Sequence, residues 1–400
     1  MDQPLGGIAA SEGTVRVLMV HNRYKQRGGE DVSTEVEVRV LRDRGHHVDT
    51  IEEDNARIDD LGIVRTGLRT LWSREAHRRV ADALGSGSYD VMHVQNFFPL
   101  LSPSIYYAAR SAGVPVVQAL RNFRLLCPAA TLYREGQPCT DCVGKAYPWP
   151  GVAHGCYRSS GPATAAVGLM TGGHRLIGTW DRAVDLYVAP SDFARNTFVE
   201  AGWDRHRIVV KPNAVHPDPG PGGGTGGYAL FVGRLTREKG IATLLGAWER
   251  HEPSLSLRIV GDGPLRDRVA AAARRNPAIS WEGERETAET YRMMQDAGVV
   301  VVPSQWFETF GRVVAESFAA GTPVVVSDRG ALPELVEGTG HGAVYPATDE
   351  AALARAVDRL VAAGSELRPE ARADYERRFS AKANAESLER IYDRAIEGER

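Results

Sequence analysis

Short apolar, β-branched runs alternate with helix-period segments along almost the whole chain, and this alternation constrains the fold more than any other feature. Residues 14–20 (TVRVLMV) suit a strand buried on both faces. A glycine turn follows. Residues 31–44 then carry Val32, Val36, Val40 and Leu41 at helical spacing, Gly45 stops them, and HHVDTI opens a second strand. A β-α-β start implies a parallel sheet. Further strands are predicted at 89–94, 114–119, 186–189 and 209–213, with helices at 103–111, 163–181 and 192–201.

A Pro- and Gly-rich stretch at 216–227 breaks this rhythm and reads as an interdomain linker. The alternation then resumes. Strands are predicted at 228–232, 255–260, 279–282, 298–302 and 323–326, and helices at 240–248, 265–275, 287–296, 311–320, 331–336, 350–362 and 381–396. The expected architecture is α/β: two Rossmann-like, doubly wound domains, 1–215 and 228–380, facing across a cleft. A C-terminal helix lies within 381–400, and its return to the first domain is left open. A chain of 400 residues suits two domains of about 200 each. Such sheets bind ligands beyond the C-terminal ends of their strands.

Composition narrows the partners. A net charge of -3 gives no basis for nucleic acid as the main ligand. No apolar run approaches the roughly 18 residues that a spanning helix needs. The first 14 residues lack a basic start and an apolar centre, so they read as a loose terminus and not as a signal peptide. A cytoplasmic location is the expectation. A helix around 68–84 places Leu71 and Trp72 near Arg69, Arg74, Arg78 and Arg79. That reads first as an ordinary surface helix with its apolar side buried, and it also suits a peripheral contact at the inner face of a membrane.

The motifs that carry chemistry cluster in the second half. Phe231-Val232-Gly233-Arg234-Leu235 ends a strand, and Glu238-Lys239-Gly240 opens the next helix. Gly233 allows close backbone approach, and Arg234 and Lys239 set two cations at a helix start that already favours anions. The set suits a diphosphate. Read alone, it also suits a surface Arg and a solvated Lys. Further on, Pro303-Ser304-Gln305-Trp306-Phe307-Glu308-Thr309-Phe310-Gly311 passes from a strand end into a helix that contains Glu316. Backbone amides from Thr309 onward would face whatever occupies that helix start. Glu308 and Glu316 can each accept two hydroxyls, as sugar and ribose diols require. A lone carboxylate at Glu316, between Ala315 and Ser317 in an apolar helix, would be costly without a partner.

Together these segments resemble the retaining glycosyltransferase family 4, which has the two-domain GT-B fold. Glu308 and Glu316 match its pattern of Glu, seven residues, Glu. Gly233, Arg234, Leu235, Glu238, Lys239 and Gly240 match its GRL..EKG segment. Val260 to Pro264 (VGDGP, containing Gly263) and Gly330 to Gly338 (GALPELVEG, containing Glu334) also fit. The resemblance covers nearly the whole chain.

It implies transfer of a sugar from a UDP- or GDP-linked donor to a hydroxyl of a glycan, a lipid-linked or a small-molecule acceptor. No cofactor is required for catalysis. Arg234 and Lys239 would bind the donor diphosphate, Glu316 the ribose, and Glu308 the donor sugar. Gly263, Thr309, Phe310 and Gly311 would complete the donor site through the backbone, with Glu334 on the nucleotide side. The first domain would hold the acceptor, with Gly28, Gly29 and Glu30 as its glycine loop. His93, in HVQN at a strand end, is a second cleft candidate, and also reads as a core histidine. Where the family often has a His after the VPVVQAL strand, this chain has Arg121, which cannot act as a neutral acid or base. That departure keeps a second reading open: a nucleotide-sugar-binding or scaffold module that has lost transfer activity.

All four cysteines, Cys127, Cys139, Cys142 and Cys156, lie in one stretch. A C-x-x-C with two flanking Cys has the ligand count of a structural zinc site, as in a subset of the family with a four-cysteine insert at 121–160. A loop of reduced or partly paired thiols gives the same pattern. Arg124, Arg134, Lys145 and Arg158 make no dense basic patch, which argues against a nucleic-acid finger.

Overall fold

The computed structural model describes residues 13–398, and of Ile63 the backbone alone. The expected loose terminus therefore falls almost wholly outside the described residues. The chain divides into two compact units. One gathers the chain before Tyr133, Thr140–Pro212 and the segment from Asn384 onward; the other gathers Tyr133–Cys139 and Asn213–Ala383.

The first unit is built on six strands: β1 (Arg16–Arg23), β2 (His47–Asp54), β3 (Val91–Asn96), β4 (Val116–Ala119), β5 (Leu186–Ala189) and β6 (Ile208–Val210). They pair in parallel in the order β2-β1-β3-β4-β5-β6. β3 and β4 are buried along their whole length, with His93, Gln95, Asn96 and Gln118 among the buried polar residues. Val17, Met19, Val91, Val117, Leu186 and Val188 form a core on one face. That core is completed by Leu388, Ile391, Tyr392 and Ala395 of the last helix, Ala381–Ile396.

The second unit has β7 (Tyr228–Val232), β8 (Ser256–Val260), β9 (Ile279–Gly283), β10 (Val299–Val302), β11 (Val324–Ser327) and β12 (Gly342–Tyr345). Their order is β9-β8-β7-β10-β11-β12, again all parallel. Side-chain alternation splits each strand between two cores. Leu230, Val300, Val324 and Val326 face one layer of helices, and Ala229, Phe231, Val299, Val301 and Val325 face the other. Each unit is thus a doubly wound α/β layer structure, as the β/α alternation demanded.

Several expectations need correction. The helix expected at 163–181 is two, Gly161–Leu176 and Thr179–Arg182, because Gly178 takes a left-handed conformation (φ 72°) between them. The helix around 68–84 is likewise two, Ile58–Leu71 and Arg74–Ser86. Ser73 separates them and caps the second, its hydroxyl accepting from the Ala76 amide at 3.2 Å. The Pro- and Gly-rich stretch expected as a linker is hydrogen-bonded to the second unit. Gly222, Gly224 and Gly226 donate their amides to the carbonyls of Ala320, Gln295 and Asp296, and the Arg368 guanidinium reaches the Gly222 carbonyl at 2.9 Å. β12 and the helix Leu367–Arg378 complete the second unit without having been predicted.

Candidate active site

In the second sheet the chain winds outward to β8 and β9 on one side of β7, and to β11 and β12 on the far side of β10. The winding reverses between β7 and β10, and a ligand crevice forms outside the carboxyl ends at such a reversal. Gly233 follows β7 there, and Pro303-Ser304 follow β10. The two loops are stitched together, with the Gln305 amide donating to the Glu238 carbonyl at 2.7 Å. Gly240, at φ 74°, lies so close to the other loop that a Cβ would stand 1.8 Å from the Pro303 carbonyl oxygen. Only glycine permits that approach.

This stitching carries Lys239 to Glu308. The Lys239 ammonium donates to Glu308 Oε1 at 2.6 Å, and the Ser304 hydroxyl donates to the same oxygen at 2.7 Å. Burial works against ionising Glu308, but the charge of Lys239 and its hydrogen bonds outweigh that penalty and hold the carboxyl below the usual carboxylate range. Lys239 Nζ also lies 5.1 Å from the centroid of the Trp306 ring. The GALPELVEG segment closes on the same backbone. Ala331 donates its amide to the Glu308 carbonyl at 2.9 Å, and a Cβ on Gly330 (φ 62°) would stand 2.4 Å from that oxygen. Glu334 follows on the helix Leu332–Val336, half-buried.

The remaining residues expected to bind a donor gather at the same sheet end. Arg234 is largely exposed, its side chain 64% accessible, and stands 3.9 Å from Glu238. Gly263 lies on the loop after β8, which is tied to the first loop: Leu235 donates to the Asp262 carbonyl at 2.8 Å, and Leu265 to the Leu235 carbonyl at 2.9 Å. Gly311 caps the helix Arg312–Ala319, directly after Thr309 and Phe310. The Phe310 ring is in the core, edge-on to Phe379 at 5.7 Å, so only its backbone is available to a ligand. The partner that Glu316 needed is Arg312, one turn earlier at 2.8 Å. Ser304 escaped the sequence reading, because a serine at a strand end has no signature of its own.

In the first unit the glycine loop opens the helix Gly29–Asp43. Glu30, half-buried, accepts from the Asn122 amide at 2.8 Å and the Tyr24 hydroxyl at 3.0 Å. His93 and Arg121 both turn inward. His93 is 0% exposed, and its Nδ1 pairs with the Tyr392 hydroxyl at 2.8 Å. Burial is the main force pulling its pKa down, to about 4, so it is a neutral core histidine and not a cleft residue. Arg121 reaches Glu37 at 2.7 Å and Gln95 Oε1 at 2.9 Å, and Lys211 reaches the same Glu37 oxygen at 2.6 Å. Glu37 is buried, which resists its ionisation. Arg121 and Lys211 overcome that and hold it well below the usual carboxylate range. Neither Glu37 nor Lys211 was singled out in the sequence. The one available signal was a charge inside the apolar periodicity of EVEVRV.

Among the described residues no group of three or more His, Cys, Asp or Glu stands together so as to hold an ion. The Cys142 thiol is buried 3.9 Å from the Pro148 carbonyl.

Two family models match the chain, Glycosyl transferase 4-like domain over residues 28–214 and Glycosyl transferases group 1 over residues 222–380. The GDP-mannose-dependent alpha-mannosyltransferase of Mycobacterium tuberculosis is 33% identical over 291 residues, 71% of this chain and 67% of the relative. The alpha-maltose-1-phosphate synthase of the same organism is 36% identical over 191 residues, 44% of this chain. There the match spans about half the relative's length, 48%. Among solved structures, the Anabaena protein HepE in complex with UDP superposes with a TM-score of 0.66 at 16% identity, covering 95% of this chain and 100% of that one. With its two parallel-sheet units, both family models and a mannosyltransferase relative matched over two thirds of its length, the chain belongs to the GT-B glycosyltransferases.

Proposed function

We propose that the protein is a retaining glycosyltransferase that moves a sugar from a UDP- or GDP-linked donor to a hydroxyl of a glycan, lipid-linked or small-molecule acceptor. The observation that carries this reading is the Lys239–Glu308–Ser304 contact at the switch point of the second sheet. Lys239 and Arg234 supply the positive charge that a departing nucleotide diphosphate needs, in place of a divalent ion. Glu308, kept ionised, accepts hydroxyls of the donor sugar. Glu316, already paired to Arg312, takes the ribose diol, and Glu334 takes the nucleotide side. In the transfer step the acceptor oxygen bonds to the anomeric carbon as the bond from that carbon to phosphate oxygen breaks. The acceptor proton passes to the departing phosphate oxygen. Gly28, Gly29 and Glu30 are the acceptor-side loop. A relative named for GDP-mannose and a neighbour solved with UDP support a nucleotide-sugar donor of either base.

The test is a thermal-shift screen against UDP, GDP, ADP and their sugars without added metal. A diphosphate at a hundred times its Kd stabilises by about 2.7 kcal/mol. Lys239→Ala abolishes that shift on this reading. Glu308→Gln keeps nucleotide binding and lowers turnover by roughly 10²–10³-fold, the loss expected when one transition-state contact is removed. Nucleotide binding with no transfer to any acceptor, in wild type as in Glu308→Gln, would favour a sugar-nucleotide-binding module.

The reading extends to a cytoplasmic protein that touches an anionic membrane surface. No helix among the described residues is long and apolar enough to cross a membrane. Val64, Leu68 and Trp72 at the helix Ile58–Leu71 are exposed, as are Leu169, Leu176 and Ile177 at the helix Gly161–Leu176 against which it packs. Arg65, Arg74, Arg78 and Arg182 are exposed nearby in the chain. Exposed apolar residues among arginines suit a lipid headgroup layer.

A further inference from the structure

The pairing of β10 with β11 ends where Val302 lies opposite Val326. Just beyond it a side chain continues the link: the Ser327 hydroxyl donates to the Ser304 carbonyl at 2.6 Å. Both serines are buried, Ser304 at 1% and Ser327 at 0% exposed. Ser304 passes the hold on to Glu308. Its own hydroxyl donates to Glu308 Oε1 at 2.7 Å, and among the described residues that carboxylate is the only partner of its hydroxyl. The far end of the loop is fixed by the same stretch of chain, because the Ala331 amide donates to the Glu308 carbonyl at 2.9 Å. Between them, Gln305 is tied through its backbone amide to the Glu238 carbonyl at 2.7 Å and through its side chain to the Ala347 carbonyl at 3.0 Å.

Lys239 is the other donor to Oε1, at 2.6 Å. The two donors differ in what else is asked of them. The ammonium of Lys239 has three N–H bonds, and its side chain is 23% exposed, so it can turn to a diphosphate. Ser304 has one O–H and is walled in. A diphosphate beside Lys239 brings negative charge that competes with Glu308 for the ammonium. Burial resists charge on Glu308 throughout, and the serine hydrogen bond is the opposing contact that no ligand draws away.

We infer that Ser304, anchored from β11 by Ser327, is a positioning residue that holds the Glu308 carboxylate in place while Lys239 serves the donor diphosphate. This rests on the reading of Lys239 as a diphosphate ligand.

The test follows the Glu308 carboxyl carbon by NMR as pH is lowered, in the full chain carrying isotope-labelled glutamate, with Glu308→Gln to assign the signal. Wild type, Ser304→Ala, Ser304→Thr and Ser327→Ala are titrated free and with saturating UDP or GDP. Each is also melted with and without the nucleotide. In Ser304→Ala the carbon titrates about one pH unit above wild type, because a hydrogen bond to the charged form is lost. The gap widens with nucleotide bound. Ser304→Thr keeps a hydroxyl and restores the wild-type titration, and Ser327→Ala moves it in the same direction as Ser304→Ala. A serine that only supports the fold would lower the melting temperature and leave the titration where it was. Equal titrations in folded Ser304→Ala and wild type overturn the inference, as does a gap that closes when nucleotide binds. If neither nucleotide raises the melting temperature of folded wild type, the donor reading fails, and the free-protein titrations still decide whether Ser304 holds Glu308.

Discussion

Glu308 and His93 are both buried titratable groups, and the structure solves the cost of burying them in opposite ways. Glu308 keeps its charge, because Lys239 stands 2.6 Å away. Its depressed pKa gives stability that is present above the usual carboxylate range and lost as pH falls through the folded value. His93 gives up its charge, because burial outweighs the pull of Glu37. Its folded pKa of about 4 lies below the ordinary 6.5, so between these values the unfolded chain binds the proton and the folded one does not. Stability therefore falls as pH drops from neutrality towards 4, by up to about 3 kcal/mol from this residue. Melting curves between pH 7.5 and 5 check this: His93→Gln shows a visibly shallower slope than wild type, whatever its melting temperature at pH 7.5. Equal slopes would mean that His93 is protonated in the folded protein.

At the level of elements, legibility followed burial. The strands β10 and β11 could be read because they are covered on both faces and are near-continuous Val. The donor motifs could be read because glycine is the one residue that tolerates the loop approaches at Gly240 and Gly330. β12 could not: GAVY is short, with glycines at 338, 340 and 342 at its start and Pro346 directly after it. The helix Leu367–Arg378 hid because it turns mainly Ala371 and Tyr375 to the core and otherwise shows charge, so it has no apolar stripe. Lys211, Glu37 and Tyr392 come together only through the fold, and no spacing rule could have joined them. The exposed residues of the helices Ile58–Leu71 and Gly161–Leu176 carry a prediction of their own. Wild type co-sediments with vesicles containing about a third anionic lipid, and markedly less at high salt, because the attraction from each basic residue is screened. Leu176→Asp, at a position 77% exposed, reduces the bound fraction several-fold without changing the melting temperature. Equal sedimentation of wild type and variant would assign those helices to plain surface.

For the whole molecule, the decisive feature is that the last helix completes the first unit after the chain has built the second. Leu388, Ile391, Tyr392 and Ala395 fill the core over β1, β3, β4 and β5, and Glu389 binds Arg44 at 2.8 Å and His46 at 2.9 Å. Burying three side chains of the Leu, Ile and Tyr class is worth roughly 1.5–3 kcal/mol each. Their sum is comparable with the entire 5–15 kcal/mol that holds an ordinary domain folded. Ending the chain at residue 380 therefore unfolds the first unit while leaving every residue of the proposed donor site in place. Proteolysis read by mass spectrometry checks this. The truncated chain is cut rapidly within β1 to β5, whereas Tyr228–Val232 and Val299–Val302 stay protected. A milder change separates packing from hydrogen bonding. Tyr392→Phe keeps the buried ring and removes the hydroxyl that His93 Nδ1 faces at 2.8 Å, which costs about 1 kcal/mol. If the truncated chain instead resists proteolysis as well as the full one, the last helix is an ornament on a first unit that folds without it.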